Sequence, residues 1–169
     1  MRFDSYEAYD KWFTSEYDQT RLEEGAQEIG PFLSFTIKPN LPPWKLEWFI
    51  VFGDRKYLRL YEYFDSAPKE VGGGIRAVFS FHYGDLPPQI RNGKPAWRDH
   101  DQVDLRIDLD QSHGLHLHFR GEDHIAQDRV KGFEFEAYDL FKYISVIKEH
   151  RQTQRPLDEI LGFVVEAAK

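Results

Sequence analysis

Three histidines, His113, His116 and His118, follow directly on a strand-like run that carries Arg106, Asp108 and Asp110. Histidine exchanges protons near neutral pH and is a common metal ligand, so this segment holds the chain's densest chemistry. Side chains alternate across a strand. Arg106, Asp108 and Asp110 therefore share one face, while Leu105, Ile107 and Leu109 share the other. The same alternation sets His116 and His118 opposite Leu115, Leu117 and Phe119. If the two runs pair through the turn at Asp110-Gln111-Ser112, one polar face displays Arg106, Asp108, His116 and His118, with His113 at the turn.

Two chemistries fit such a face. In one, histidines carry protons while Arg106 neutralises a phosphate. In the other, His116 and His118 converge on a divalent ion such as zinc or iron. Their alpha carbons lie about 7 Å apart, at a rise of about 3.3 Å per residue. Asp108, Glu122 or His82 would then supply the third ligand. A wet outer sheet face without chemistry is the plain alternative. His82, in Phe79-Ser80-Phe81-His82-Tyr83, alternates away from the three aromatic residues. It is either a neighbour of the cluster or a strand histidine facing solvent or a core hydrogen bond. Glu62 ends the apolar row Leu58, Leu60. It either emerges at a sheet edge or pairs with Arg106 or a histidine, with its pKa displaced. Tyr57, Arg59, Tyr61 and Tyr63 interleave rings with a guanidinium, a pattern that stacks bases but more often packs across strands. The Gly72–Gly74 run lacks the frame of a phosphate loop, and the zinc-protease, hydrolase-elbow and EF-hand motifs are absent.

The elements that must position these groups read as α+β, a mainly antiparallel sheet of five to seven strands flanked by an N-terminal helix and C-terminal helices. Aromatic residues from Phe3 to Tyr17 recur at helical spacing with carboxylates between them, which predicts a helix over residues 4–28. Leu33, Phe35 and Ile37 alternate as a strand. Lys45–Phe52 and Tyr57–Phe64 form a hairpin about Gly53-Asp54, and Gly72–Gly74 turn the chain into a strand over Ile75–Tyr83. A long polar loop follows, from Gly84 to Ala96, of a length that suits either a mobile segment or a lid. After the histidine strands come a helix over Glu136–His150 and a last helix opened by Pro156 and running through Val164.

At 169 residues the chain is the size of one domain, with residues 1–30 as a helical extension packed on the sheet. A hydrophobic share of 41% and a charged share of 30% are those of a folded protein. No cysteine is present, which excludes disulfides, thiolate metal sites and cysteine nucleophiles. The net charge of −7 argues against an extended nucleic-acid groove, though a small basic pocket is compatible with it. With no basic-then-apolar leader and no long apolar run, the expected location is cytoplasmic, without membrane contact.

His116-Leu117-His118 followed by three residues and then Glu122 resembles the centre of the first cupin motif. That likeness implies a metal site of His116, His118 and Glu122 in a small-molecule enzyme or binder. A longer resemblance runs over residues 45–150: Leu58-x-Leu60-x-Glu62, Ser80-Phe81-His82-Tyr83, Arg106-Ile107-Asp108, the histidines from His113 to His118, then a helix. In this order the chain is similar to the TumE family, toxins of prokaryotic toxin–antitoxin pairs. Members typically carry Arg-aromatic-Asp-Asn and then Pro-His-His, where this chain has Arg106-Ile107-Asp108-Leu109 and Ser112-His113-Gly114. The resemblance implies a metal-independent ribonuclease with no cofactor, RNA as substrate and a small antitoxin protein as partner. Its catalytic set would be His82, Arg106, Asp108, His113, His116 and His118. A non-enzymatic interaction domain, docking through the acidic N-terminal helix or the tyrosine face, is the third reading.

Overall fold

The computed structural model describes residues 1–20, 23–35, 42–67, 72–86, 90–91, 94–95, 103–132, 134 and 139–167. Its centre is an antiparallel sheet that the chain lays down almost in sequence order. The strands are β1 (Arg2–Phe3), β2 (Gln27–Phe35), β3 (Trp44–Val51), β4 (Lys56–Ser66) and β5 (Gly74–Asp85). After the short hairpin β6 (Ile90–Arg91) and β7 (Lys94–Pro95) come β8 (Val103–Asp110), β9 (Gly114–Phe119) and β10 (Glu122–Ala126). Spatial order is β10-β9-β8-β5-β4-β3-β2, with β1 pairing the start of β5, so the sheet has eight strands rather than five to seven. The sheet strands without a sequence signal are β1, only two residues long, and β10, whose alternation is broken by a register slip between Glu122 and Ile125.

Alternation gives this sheet two unlike faces. Antiparallel register lines up Trp48, Leu60, Phe81, Ile107, Leu117 and Ile125 as one apolar row across six strands. All six are buried, and each contributes about 1.5–3 kcal/mol by leaving water. Two helices cover that face. Helix α1 (Tyr6–Gln19) is capped by Ser5, whose hydroxyl accepts from the Ala8 N–H. Helix α2 (Leu140–Thr153) is capped by Asp139, whose carboxylate accepts from the N–H groups of Phe141 and Lys142. Phe13 and Trp12 of α1 meet Phe141 of α2, each pair 5.3 Å between ring centres, which closes the two helices over the core.

Several boundaries differ from the sequence expectation. The first helix stops at Gln19, not residue 28, because Thr20 turns extended and Gly25 adopts φ +81; Gln27 already opens β2. The Leu33–Ile37 strand is thus the end of a longer one, and residues 36–41 lie outside the described residues. The later helix begins at Leu140, residues 135–138 lying outside the described residues. The last helix, α3 (Leu157–Leu161), has Pro156 as its N-cap and ends at left-handed Gly162. Val164 therefore belongs to a short strand, β12 (Val164–Val165), which pairs with β11 (Val130–Lys131) after the 3-10 turn Gln127–Arg129. Gly84 and Asp85 extend β5, the expected loop contains the hairpin β6–β7, and its residues 87–89, 92–93 and 96 lie outside the described residues.

Candidate functional site

On the face away from the helices, register builds two polar rows where the other face has its apolar one. One row runs Arg59, His82, Arg106, His118, and the next runs Tyr61, Ser80, Asp108, His116. The β8–β9 pairing expected from the sequence is present, with Asp108 opposite His116 and Arg106 opposite His118. Burial is the surprise. Asp108 and His116 are each 2% exposed, His118 5% and His82 1%, so this is no wet outer face.

Asp108 is the hub. Its Oδ2 lies 2.5 Å from Nε of Arg106 and 3.6 Å from Nε2 of both His116 and His118. The arginine contact is an ion pair without a directed N–H, and neither carboxylate oxygen has a hydrogen-bond partner among the described residues. His116 is held from behind: its Nδ1 sits 3.0 Å from the Gly114 carbonyl. A carbonyl only accepts, so Nδ1 carries the proton and Nε2 presents a lone pair toward Asp108. That Nε2 is likewise buried without a hydrogen-bond partner among the described residues.

A second layer stands closer to water. His113 is half exposed at the β8–β9 turn, where Asp110 accepts from the N–H groups of Ser112 and His113, both at 2.7 Å. Burial pushes the Asp110 carboxyl up, but those two N–H groups and the His113 ring outweigh it and leave the group at about 2. His124 completes the layer. Register slips between Glu122 and Ile125, and His124 takes φ +52 within that bulge. Its ring then stands 4.4 Å from that of His113, 5.1 Å from His116 and 4.7 Å from His118, centre to centre. Side-chain ligand atoms of His113, His116 and His124 lie within 4.8 Å of one another, as do those of Asp108, His116 and His118, so the two triads share His116.

The sheet thus brings together Arg106, Asp108, His113, His116 and His118 as the sequence predicts. His82 joins them from β5 as Arg106's cross-strand neighbour, rather than facing solvent. Burial first, then Arg106, Arg59 and His118, holds its pKa well below the ordinary histidine value, and Tyr57 Oη lies 3.4 Å from its Nε2.

Two expectations are not met. Glu122 sits exposed in an ion pair with Arg129, 2.5 Å away, so Asp108 stands where the third ligand was expected. Glu62 is fully buried on the helix face, where Arg76 donates to it at 3.0 Å and Tyr9 at 3.2 Å; it pairs with neither Arg106 nor a histidine. His124 was not singled out in sequence, because a bulge, not alternation, turns it toward the cluster. Its trace in the sequence is one more histidine, six residues after His118.

Comparison with known proteins finds no matching family profile, curated protein or solved structure. Among the described residues no helix is long and apolar enough to cross a membrane.

Proposed function

We propose that this polar face cleaves phosphodiester bonds in RNA, and that the protein is a toxin-like ribonuclease. The observation that carries the reading is the two-layer histidine cluster beside Arg106. An accessible pair, His113 and His124, stands with rings 4.4 Å apart in front of buried Asp108, His116 and His118. The resemblance to TumE toxins supplies the substrate class. In the reaction, one outer histidine takes the proton of the ribose 2′-OH, and that oxygen attacks phosphorus. The bond from phosphorus to the 5′ oxygen breaks, and the second outer histidine, protonated, gives its proton to the departing oxygen. The products are a 2′,3′-cyclic phosphate and a free 5′-OH. Arg106 stabilises the charge that grows on the phosphoryl oxygens.

Arg59 lies over the Tyr61 ring at 5.5 Å on the same face, a pairing able to hold a neighbouring base. Purified protein is to be incubated with single-stranded RNA and the product ends identified. Cyclic-phosphate ends that disappear in His113→Gln, His124→Gln and Arg106→Gln variants of unchanged thermal stability support the reading. Intact RNA, together with normal growth on induced expression, would sink it.

A further inference from the structure

We infer that Asp108, His116 and His118 form a binding site for a divalent transition metal of the zinc class. The inference deepens the reading of this face as the working site and rests on it, but is read out by binding alone. Three observations converge. Two of the three groups are buried lone-pair donors without a hydrogen-bond partner among the described residues: Nε2 of His116 and the carboxylate of Asp108. Arg106 balances the charge of the Asp108 carboxylate, but the carboxylate still faces an imidazole lone pair, and a shared cation resolves that contact.

The spacing selects which cation. Asp108 Oδ2 stands 3.6 Å from each imidazole Nε2. That exceeds hydrogen-bond length, so a proton between them is poorly held. Zinc bonds of about 2.0–2.1 Å at a tetrahedral angle place ligand atoms about 3.3 Å apart, so a small contraction closes the site.

The third observation is support from behind. His116 donates from Nδ1 to the Gly114 carbonyl, the outer-shell bond by which ligating histidines fix their tautomer and orientation. Asp108 also has a second oxygen, Oδ1, so it can serve Arg106 and an ion at once. The imidazole-and-carboxylate set suits zinc, iron or nickel and is a poor magnesium or calcium site.

The alternative triad, His113, His116 and His124, lies mostly at the surface, and its His113 nitrogen is 3.3 Å from Asp110. The experiment separates the two. Untagged full-length protein is stripped with chelator, and zinc chloride is titrated in by calorimetry, with cobalt chloride as an optical probe. Expected are one equivalent of zinc per chain, a raised Tm and the intense visible bands of low-coordinate cobalt.

His116→Gln and Asp108→Asn should weaken binding by more than the 10- to 100-fold typical of losing an outer-shell partner, about 100-fold or beyond. Glu122→Gln and His113→Gln should bind as the parent does. Parent protein that takes up no stoichiometric zinc and gives no cobalt bands overturns the inference, whether or not the ligand variants fold. So does loss of binding in His113→Gln with retention in Asp108→Asn. Zinc bound without RNA cleavage overturns the ribonuclease reading alone, and RNA cleavage without zinc binding overturns the metal site alone.

Discussion

Asp108 Oδ2 and His116 Nε2 stand 3.6 Å apart across the β8–β9 pair, each residue 2% exposed, while the opposite nitrogen of the imidazole donates to Gly114. The geometry fixes a tautomer. In metal-free protein held well above the ordinary histidine range, nitrogen-15 NMR should find Nδ1 of His116 protonated and Nε2 bare. A spectrum with the proton on Nε2 would mean that the Gly114 contact does not hold the ring, and the ligand geometry would lose its anchor.

Glu62 and Arg76 make a buried ion pair at 3.0 Å on the helix face, with side chains 0% and 4% exposed. Burial pushes the Glu62 carboxyl above its ordinary value, against the opposing pull of Arg76 and the Tyr9 hydroxyl. Removing one partner strands the other in the core. Arg76→Ala should cost about 3–5 kcal/mol, and the double variant Glu62→Leu/Arg76→Met should recover most of it. Tyr9→Phe removes one hydrogen bond to a charged acceptor and should cost about 1.5–3 kcal/mol. Urea unfolding of the four proteins measures this. A double variant as weak as Arg76→Ala would show that the pair contributes net stability after all.

Alternation carried the sequence reading a long way. It assigned Leu105, Ile107 and Leu117 to one face and Arg106, Asp108, His116 and His118 to the other, and the register of β8 with β9 agrees. What alternation does not encode is burial. Nothing in Asp108 or His118 says that the polar face is closed. Bulges are equally silent: one slipped residue before Ile125 is what aims His124. For Glu62, the partner is silent for a related reason. Its strand position follows from spacing, but its partner Arg76 is the cross-strand neighbour of Phe64, one bulge away from regular register. The end of the N-terminal helix is not legible because carboxylates at Glu23, Glu24 and Glu28 suit a solvated helix and a strand edge alike.

His82 makes stability depend on pH in a definite direction. Arg106, Arg59 and His118 face it, Tyr57 lies against it, and burial is the largest cause of its lowered pKa. The unfolded chain takes up a proton at about pH 6.5 that the native state refuses. Stability is therefore complete above about pH 6.5 and is lost as pH falls toward the folded value, at up to about 1.4 kcal/mol per pH unit. The checking measurement is urea unfolding at about pH 7.5 and about pH 5.5 for the parent and for His82→Gln. The variant should lose less stability between the two. Equal losses would assign the acid sensitivity to other groups.

Gly74 tests how tightly the N-terminus is built into the sheet. Phe3 pairs with Gly74 in register, and a Cβ at Gly74 would run into the ring of Trp44, which is itself fully buried and stacked 5.4 Å from Phe64. Gly73, at φ +76, has the Phe3 carbonyl and Asp4 backbone in the same relation. The glycines there do more than reverse the chain: they let β1 and an indole approach the backbone. Overpacking a formed core typically costs about 1–3 kcal/mol, so Gly74→Ala should fall in that range. Gly53 at the β3–β4 turn has nothing within 4 Å of its Cβ position, and Gly53→Ala should stay within about 0.5 kcal/mol of the parent. Denaturant melts of the two variants decide the point. A Gly74→Ala protein as stable as the parent would mean that Trp44 can move aside, and that β1 is laid on the sheet rather than locked into it.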